Sequence, residues 1–451
     1  MAVWSEISLT GLEGAGRFDA EYYQPIYIKE RAALRALPHV RLGTVAYVTD
    51  GQHGYHIVDP ESDIKHITAK CVVNNIVVAD DADRLAAETH LKNMRSSLET
   101  GDVLLQTAGT IGSAGVVTED VLPANIDQDV ARICIHDKTN LSPWFVSVFI
   151  NSELGRMQTA FEATGQVQKH LSLGAVRKLI IPMLPQQHLV AEIAIQAYER
   201  RLQSNQLYAE AENLLLHELE LDTLDLSHEL TYERNFSEVA AVGRYDAQFF
   251  QPKYQKVVDT LTKQWTVEAI GSWGKVLKGW SVGEYIEEGI PVVRSGDLTD
   301  IDNVEGFKHA SPAEDLFYLK RGDVCISSIG FGSIGKVQVF DKEDQPYATV
   351  SEVTVVRQNR VNPYYLQIFL QSLAGQLQIE KWITGATGQL HLYPRDVEKF
   401  LIPILPEAQQ LRFEEIAYQA RQAREQAKQL REDAKQRVEQ MILGEEASHV
   451  T

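Results

Sequence analysis

Apolar residues along this chain follow two contrasting patterns. Over most of its length they come in short Val/Ile runs bounded by Gly, Asp or Asn, which predicts strands. In two stretches they recur every three or four residues with no glycine or proline between them. From Glu407 to Leu443, alanine, glutamine, arginine and glutamate dominate. Here Phe413, Ile416, Ala420, Ala423, Ala427, Leu430, Ala434 and Met441 form one a/d seam, broken only by Arg437. From Gln186 to Leu221 a weaker copy runs through Val190, Ile193, Ala197, Leu207, Ala211 and Leu214, interrupted at Arg200 and Ser204. Heptad spacing gathers such residues on a stripe that must bury against another helix. At about 1.5 Å per residue each helix extends roughly 55 Å. Each has one narrow stripe, so the simplest partner for each is the other.

The strand-rich parts repeat each other. GRFDAEYYQPIY from Gly16 answers GRYDAQFFQPKY from Gly243, with aromatic rings kept at Phe18/Tyr245, Tyr22/Phe249 and Tyr23/Phe250. Gly101-Asp102-Val103 answers Gly322-Asp323-Val324, and each leads through an apolar strand into a glycine turn, GTIGSAG from Gly109 and GFGSIGK from Gly330. Asp129-Val130 faces Glu352-Val353, NSELGRMQ from Asn151 matches QSLAGQLQ from Gln371, and His170-Leu171 pairs with His391-Leu392. KLIIPMLP from Lys178 and KFLIPILP from Lys399 close the two copies. Helices are expected at Ser142-Pro143 and Asn362-Pro363, where an N-cap residue precedes a proline suited to the first helical position. A repeat of about half the chain is too large for a solenoid, so two homologous modules follow.

Composition narrows the reading. With 451 residues the chain exceeds what one core serves. Apolar residues at 44% and charged residues at 23% fit a globular protein. No apolar run reaches the roughly 20 residues needed to span a bilayer, and MAVWSEISLT lacks the features of a signal peptide. Cys71, Cys134 and Cys325 lie far apart, which disfavours both a disulfide framework and a zinc site. The expected compartment is a reducing cytoplasm. The net charge of -19 argues against stand-alone, non-specific binding of nucleic acid, whose affinity comes mainly from phosphate contacts. It leaves room for local patches working with a partner.

Taken in order, these features resemble the specificity subunit of type I restriction–modification systems, a phage-defence family. The carriers are RFDAEYYQP/RYDAQFFQP, GDVLLQTAGTIG/GDVCISSIGFGSIG, and QKHLS/QLHLY ahead of IPMLP/IPILP. The resemblance implies an α+β fold: two homologous mixed α/β target-recognition domains, each followed by a long helix, the helices pairing as an antiparallel coiled coil. On this reading residues 1–185 hold the N-terminal segment and first recognition domain, and 186–222 the first spacer helix. Residues 223–406 hold a connector and the second domain, 407–443 the second helix, and 444–451 a tail.

Motifs that suggest catalysis have simpler explanations. GFGSIG satisfies GxGxxG, yet KVQVF continues as a strand where a dinucleotide site needs a helix. Asn362-Pro363-Tyr364-Tyr365 echoes an adenine-methyltransferase motif, but its sister is Ser142-Pro143-Trp144-Phe145, and helix capping accounts for both. His170 and His391 recur without a nucleophile or metal-ligand spacing beside them. The chain therefore reads as non-catalytic, binding neither cofactor nor metal.

As the resemblance implies, each module reads a short half-site in the major groove, and the diverged pair reads an asymmetric bipartite target. The coiled coil sets the spacing, as protein geometry sets half-site separation elsewhere. Three recurring places hold the candidate DNA-contact residues. The early loop offers Gln52, His53, Tyr55 and His56, or Lys278, Trp280 and Tyr285. The following segment offers Lys65, Thr68 and Lys70, or Arg294 and Ser295. The third loop offers Gln168, Lys169 and His170, or Gln389, His391 and Tyr393. The implied partners are double-stranded DNA, two methyltransferase subunits carrying S-adenosylmethionine, and optionally restriction subunits, with no membrane. The acidity motivates one alternative, a duplicated scaffold that does not bind DNA; a self-contained modification enzyme is a third reading.

Overall fold

The computed structural model describes residues 4–443 except 16, 81, 166–168, 300, 302–305, 314, 331 and 386–389. Gln168 and Gln389 therefore lie outside the described residues. Internal contacts divide the chain into two units: residues up to Arg201 together with those from Gln426 onward, and Leu202–Glu425. Both divisions fall inside the long helices Gln187–Glu218 and Glu407–Leu443. Each unit is thus a module plus a stretch of each helix.

The modules share one strand plan. In the first, Ala46–Asp50 pairs with Val130–Ile135, then Val103–Gln106, then Ala114–Val116, all antiparallel. In the second, Lys275–Lys278, Val353–Arg357, Asp323–Ser327 and Val337–Phe340 stand in the same order and sense. A parallel pair, Lys65–Ile67 beside Ala124–Ile126, is matched by Ile290–Val293 beside Ala348–Thr349. The central strands Val103–Gln106 and Asp323–Ser327 are buried along their whole length, which explains their apolar runs. Helices Pro143–Asn151 and Pro363–Gln371 begin where the capping pattern placed them, and Phe145, Phe149, Tyr365 and Phe369 are fully enclosed. The ends of each module lie side by side, His39–Arg41 against Ile180–Pro182 and Val267–Ala269 against Leu401–Pro403.

The repeated opening segment is a folding device. Asp19 and Asp246 accept the backbone N–H of Tyr22 and Phe249, capping a 3-10 turn in each copy. Arg17 and Arg244 pair with those carboxylates at 2.6 and 2.8 Å and lie 4.6 Å over the rings of Tyr22 and Phe249. The pairing holds Asp19 and Asp246 below the usual carboxylate range.

A second repeated device is the buried aspartate of Gly-Asp-Val. Asp102 takes the backbone N–H of Glu99 at 2.8 Å and Arg132 Nε at 2.6 Å. Asp323 takes the N–H of Lys320 at 2.8 Å and both Nε and Nη2 of Arg357, at 2.8 and 2.7 Å. The arginines are not equivalent. Arg132 stands opposite Leu104, whereas Val355 stands opposite Cys325, so Arg357 enters from two residues farther along the same strand face.

Within each unit the long helices join the core. The first unit buries Val190, Ala191 and Ala194 together with Ala434, Val438 and Ile442. The second buries Ala211, Leu215 and Leu219 together with Phe413 and Ala417. In the second unit the helices run antiparallel: Gln409 Nε2 donates to Glu218 Oε1 at 2.6 Å, while Arg424 lies 5.6 Å over Tyr208. The seam differs in detail from the expected one. On the second helix it runs through Ala417, Val438 and Ile442, so Arg437 does not interrupt it. Arg437 turns to Asp433, one helical turn back, at 3.3 Å. On the first helix it runs through Ala194 and Leu215, and Ser204, expected as a break, is completely buried in it because its side chain is nearly as small as alanine. Among the described residues no helix is long and apolar enough to cross a membrane.

Candidate nucleic-acid interface

The early loops start from matched glycines. Gly51 and Gly279 donate to Asp127 O and Val353 O at 3.1 and 3.2 Å. A Cβ on Gly51 would stand 1.9 Å from Ile126 O, and one on Gly279 2.1 Å from Val350 O. Any side chain would collide with backbone, so glycine is required. The next residues, Gln52 and Trp280, therefore occupy corresponding places.

In the first unit Gln52 is half-buried and Nε2 donates to Tyr55 O at 3.2 Å. His53 is exposed and pairs with Asp50 at 3.0 Å, while Tyr55 is 84% exposed. His56 packs its ring 4.2 Å from that of His66, a buried residue. Burial lowers the pKa of His56, and burial together with the neighbouring His56 ring pushes His66 down to about 4, opposed by Asp83. Burial also raises Asp127, the residue bridged to Gln52, to about 6. In the second unit Lys278 is exposed at the strand end, and Trp280 is half-exposed with its ring edge-on to Phe317 at 6.1 Å. Tyr285 is half-exposed on strand Tyr285–Ile286, and burial of its hydroxyl raises its pKa.

The second and third places meet at the end of each central strand. In the first unit Gln106 Nε2 donates to Ala69 O and, at 2.9 Å, to Val72 O, binding the segment after Lys65–Ile67 to the strand end. Ala108 is bridged to His170, and Leu171 N donates to Thr107 O at 2.8 Å. In the second unit Ser295 Oγ is 2.7 Å from Ser327 Oγ, Ile329 is bridged to His391, and Leu392 N donates to Ser328 O at 2.9 Å. Both units therefore present one ridge built from the two loops, which sequence reading had treated as separate places.

Along that ridge Lys70 and His170 are exposed, and Thr68 is half-buried near Cys71. Lys65 donates to Asp120 O at 2.7 Å, and Lys169 pairs with Glu21 at 3.2 Å, off the ridge in the opening segment. Arg294 is held by Asp297, whose carboxylate takes both its backbone N–H and its guanidinium. The His391 ring stacks on Tyr393 at 5.8 Å, and Arg395 lies 5.1 Å over Tyr393. Histidine and tyrosine rings are able to stack and offer hydrogen-bonding edges, and lysine ammonium groups are able to pair with anions such as phosphate.

Two residues at the first early loop escaped the sequence reading. Asn93 Nδ2 donates to Gln52 Oε1 at 2.5 Å, and Arg95 Nη2 reaches Gly51 O at 3.1 Å and Asp50 at 3.2 Å. Both lie in a stretch without a counterpart in the other copy, so the repeat gave no signal. The glycine turns carry no dinucleotide geometry: Asp323–Ser327 leads through Gly330, Gly332 and Gly335, all at positive φ, into the antiparallel strand Val337–Phe340. Among the described residues no group of three or more His, Cys, Asp or Glu could hold a metal ion.

Residues 274–417 match a family described as the type I restriction modification DNA specificity domain. The type I restriction enzyme EcoBI specificity subunit of Escherichia coli is 27% identical over 140 residues, 30% of this chain and 29% of that protein. The chain thus matches under a third of that relative's length. Among solved structures, the S subunit of a type I restriction–modification system from M. genitalium is 14% identical, with a TM-score of 0.40, over 90% of this chain and 94% of that one. The HsdS subunit from Thermoanaerobacter tengcongensis is 16% identical, with a TM-score of 0.29, over 90% of this chain and 96% of that one.

Proposed function

We propose, from the premise that residues 274–417 carry a type I restriction modification DNA specificity domain, that this chain is the sequence-reading subunit of a type I restriction–modification complex. The observation that carries the proposal is that the first unit repeats the strand order of the second. A domain type present twice, with different loop residues, reads two different half-sites. The antiparallel helices serve as the ruler between them and, with the module faces, as the docking surface for two methyltransferase subunits. Restriction subunits join in systems that have them. S-adenosylmethionine binding, base flipping and methyl transfer belong to the partner, and the chain works in the cytoplasm.

The acidity, -19 overall, is accommodated because the ridges need only local contacts while the partner clamps the duplex. The test is methylation profiling of DNA modified by the assembled complex. A bipartite motif with an unread spacer is expected, and the purified chain alone transfers no labelled methyl groups. Reversing Lys65 and Lys70 to glutamate, and separately Arg294 to glutamate, weakens DNA binding and flattens its salt dependence. Binding by the complex that is indifferent to all three changes and to DNA sequence favours the scaffold reading instead.

A further inference from the structure

The two units differ most between the segment after the parallel pair and the central strand. In the first, that stretch contains strands Val72–Val73 and Asn75–Val77, helix Ala87–Lys92 and a 3-10 turn at Met94–Ser96. In the second it contains strands Lys308–Ala310 and Phe317–Tyr318. Both stretches nevertheless do the same thing. Each sends one side chain to the residue just after the matched glycine. Asn93 reaches Gln52 by a 2.5 Å amide–amide hydrogen bond, and Phe317 reaches Trp280 edge-to-face at 6.1 Å.

We propose that each early loop reads DNA through a residue pair, Gln52 oriented by Asn93 in the first unit and Trp280 oriented by Phe317 in the second, so that the positioning residue in the diverged segment sets half-site preference. The inference rests on the DNA-reading function proposed above. Its physical basis is the carboxamide. Gln52 presents a donor and an acceptor side by side, the arrangement that pairs bidentately with adenine N6 and N7. Which edge carries the donor depends on which way the amide faces, and Asn93 sets that by donating to Oε1 while Nε2 donates to Tyr55 O. Asn93 is itself anchored, with Nδ2 on Thr89 O at 2.8 Å and its backbone carbonyl taking Asn125 Nδ2 at 3.0 Å. The orientation is therefore set before DNA arrives. The second unit has no amide at this place, and an aromatic pair selects by stacking and apolar contact with the thymine methyl.

The experiment profiles methylation by the complete complex carrying Gln52→Ala, Asn93→Ala, Asn93→Asp or Trp280→Ala, with thermal melting as the check on folding. Gln52→Ala and Asn93→Ala should relax discrimination at one base pair of one half-site by roughly tenfold or more and leave the other half-site unchanged. Asn93→Asp, which accepts where asparagine donates, should repel Gln52 Oε1 and release the amide from its set orientation, relaxing discrimination at that base pair at least as far as Asn93→Ala does. Trp280→Ala should act only on the opposite half-site. If folded Asn93 variants lose activity equally on every sequence, or keep wild-type preference while Gln52→Ala changes it, the pair does not read DNA as proposed, although the sequence-reading function stands. A wild-type complex without any bipartite motif removes that function itself, so the two failures are distinguishable.

Discussion

In the first unit the aspartate of Gly-Asp-Val meets Arg132, and the loop after Gly51 is held by an amide. In the second the equivalent aspartate meets Arg357, two residues farther along its strand, and the loop after Gly279 is held by a ring. The backbone position of each device is kept and its side-chain partner is not. A strand face with period two tolerates the shift, because residues two apart project the same way. The lesson is that a duplicated frame preserves where groups must meet and leaves open which residues meet there.

The largest expected effect tests the aspartate. Asp102→Asn leaves the buried Arg132 with only the exposed Glu99 carboxylate, 3.6 Å away, and should cost about 3 kcal/mol in denaturant unfolding. Asp323→Asn should cost less, because the Arg357 side chain is partly exposed at 28%. The double change Arg132→Val with Cys134→Arg copies the second unit's arrangement and should recover most of the loss caused by Arg132→Val alone. Failure to recover it would mean the two placements are not interchangeable. Next, Gly51→Ala and Gly279→Ala should each cost ~1–3 kcal/mol through overpacking, and each should blur only its own half-site in methylation profiles.

A third comparison concerns pH. His66 is held neutral down to about 4 in the fold, against 6.5 ordinarily, so the unfolded chain gains its proton first as pH falls. Its contribution is intact above pH 6.5 and is lost between about 6.5 and 4, at no more than about 1.4 kcal/mol per pH unit. The second unit has Val292 and Pro291 in the corresponding strand. His66→Gln should therefore flatten the fall in denaturation midpoint between pH 7 and 5, and an unchanged fall would place the titration elsewhere. The smallest effect is expected at the helix starts. Glu439 accepts Glu153 N at 2.8 Å in the first unit, and Glu212 accepts Leu373 N at 2.9 Å in the second. Alanine at either should cost under ~1 kcal/mol, and equal losses would show that this pair has not diverged.

The α+β fold with its long helices was legible because its requirements are local and doubled. Glycines, N-caps and proline-led helices leave the same mark in both copies, and a heptad stripe is visible without a partner. The stripe's finer course was not legible, since alternation of three- and four-residue steps lets either Arg437 or Val438 continue it, and only packing decides. The convergence of Ser295 and His391 on one ridge was hidden because strand pairing brings distant segments together. Asn93 and Arg95 were hidden for the opposite reason: they belong to the part of the first module that the second does not share.

The paired ends of each module, His39–Arg41 beside Ile180–Pro182 and Val267–Ala269 beside Leu401–Pro403, carry an evolutionary corollary. A stretch of chain whose two ends are neighbours can be excised and replaced as a cassette without stretching what remains. On the proposed function, an exchange with crossovers at those two-stranded clasps would deliver a new half-target in a single event while the helical frame is inherited intact.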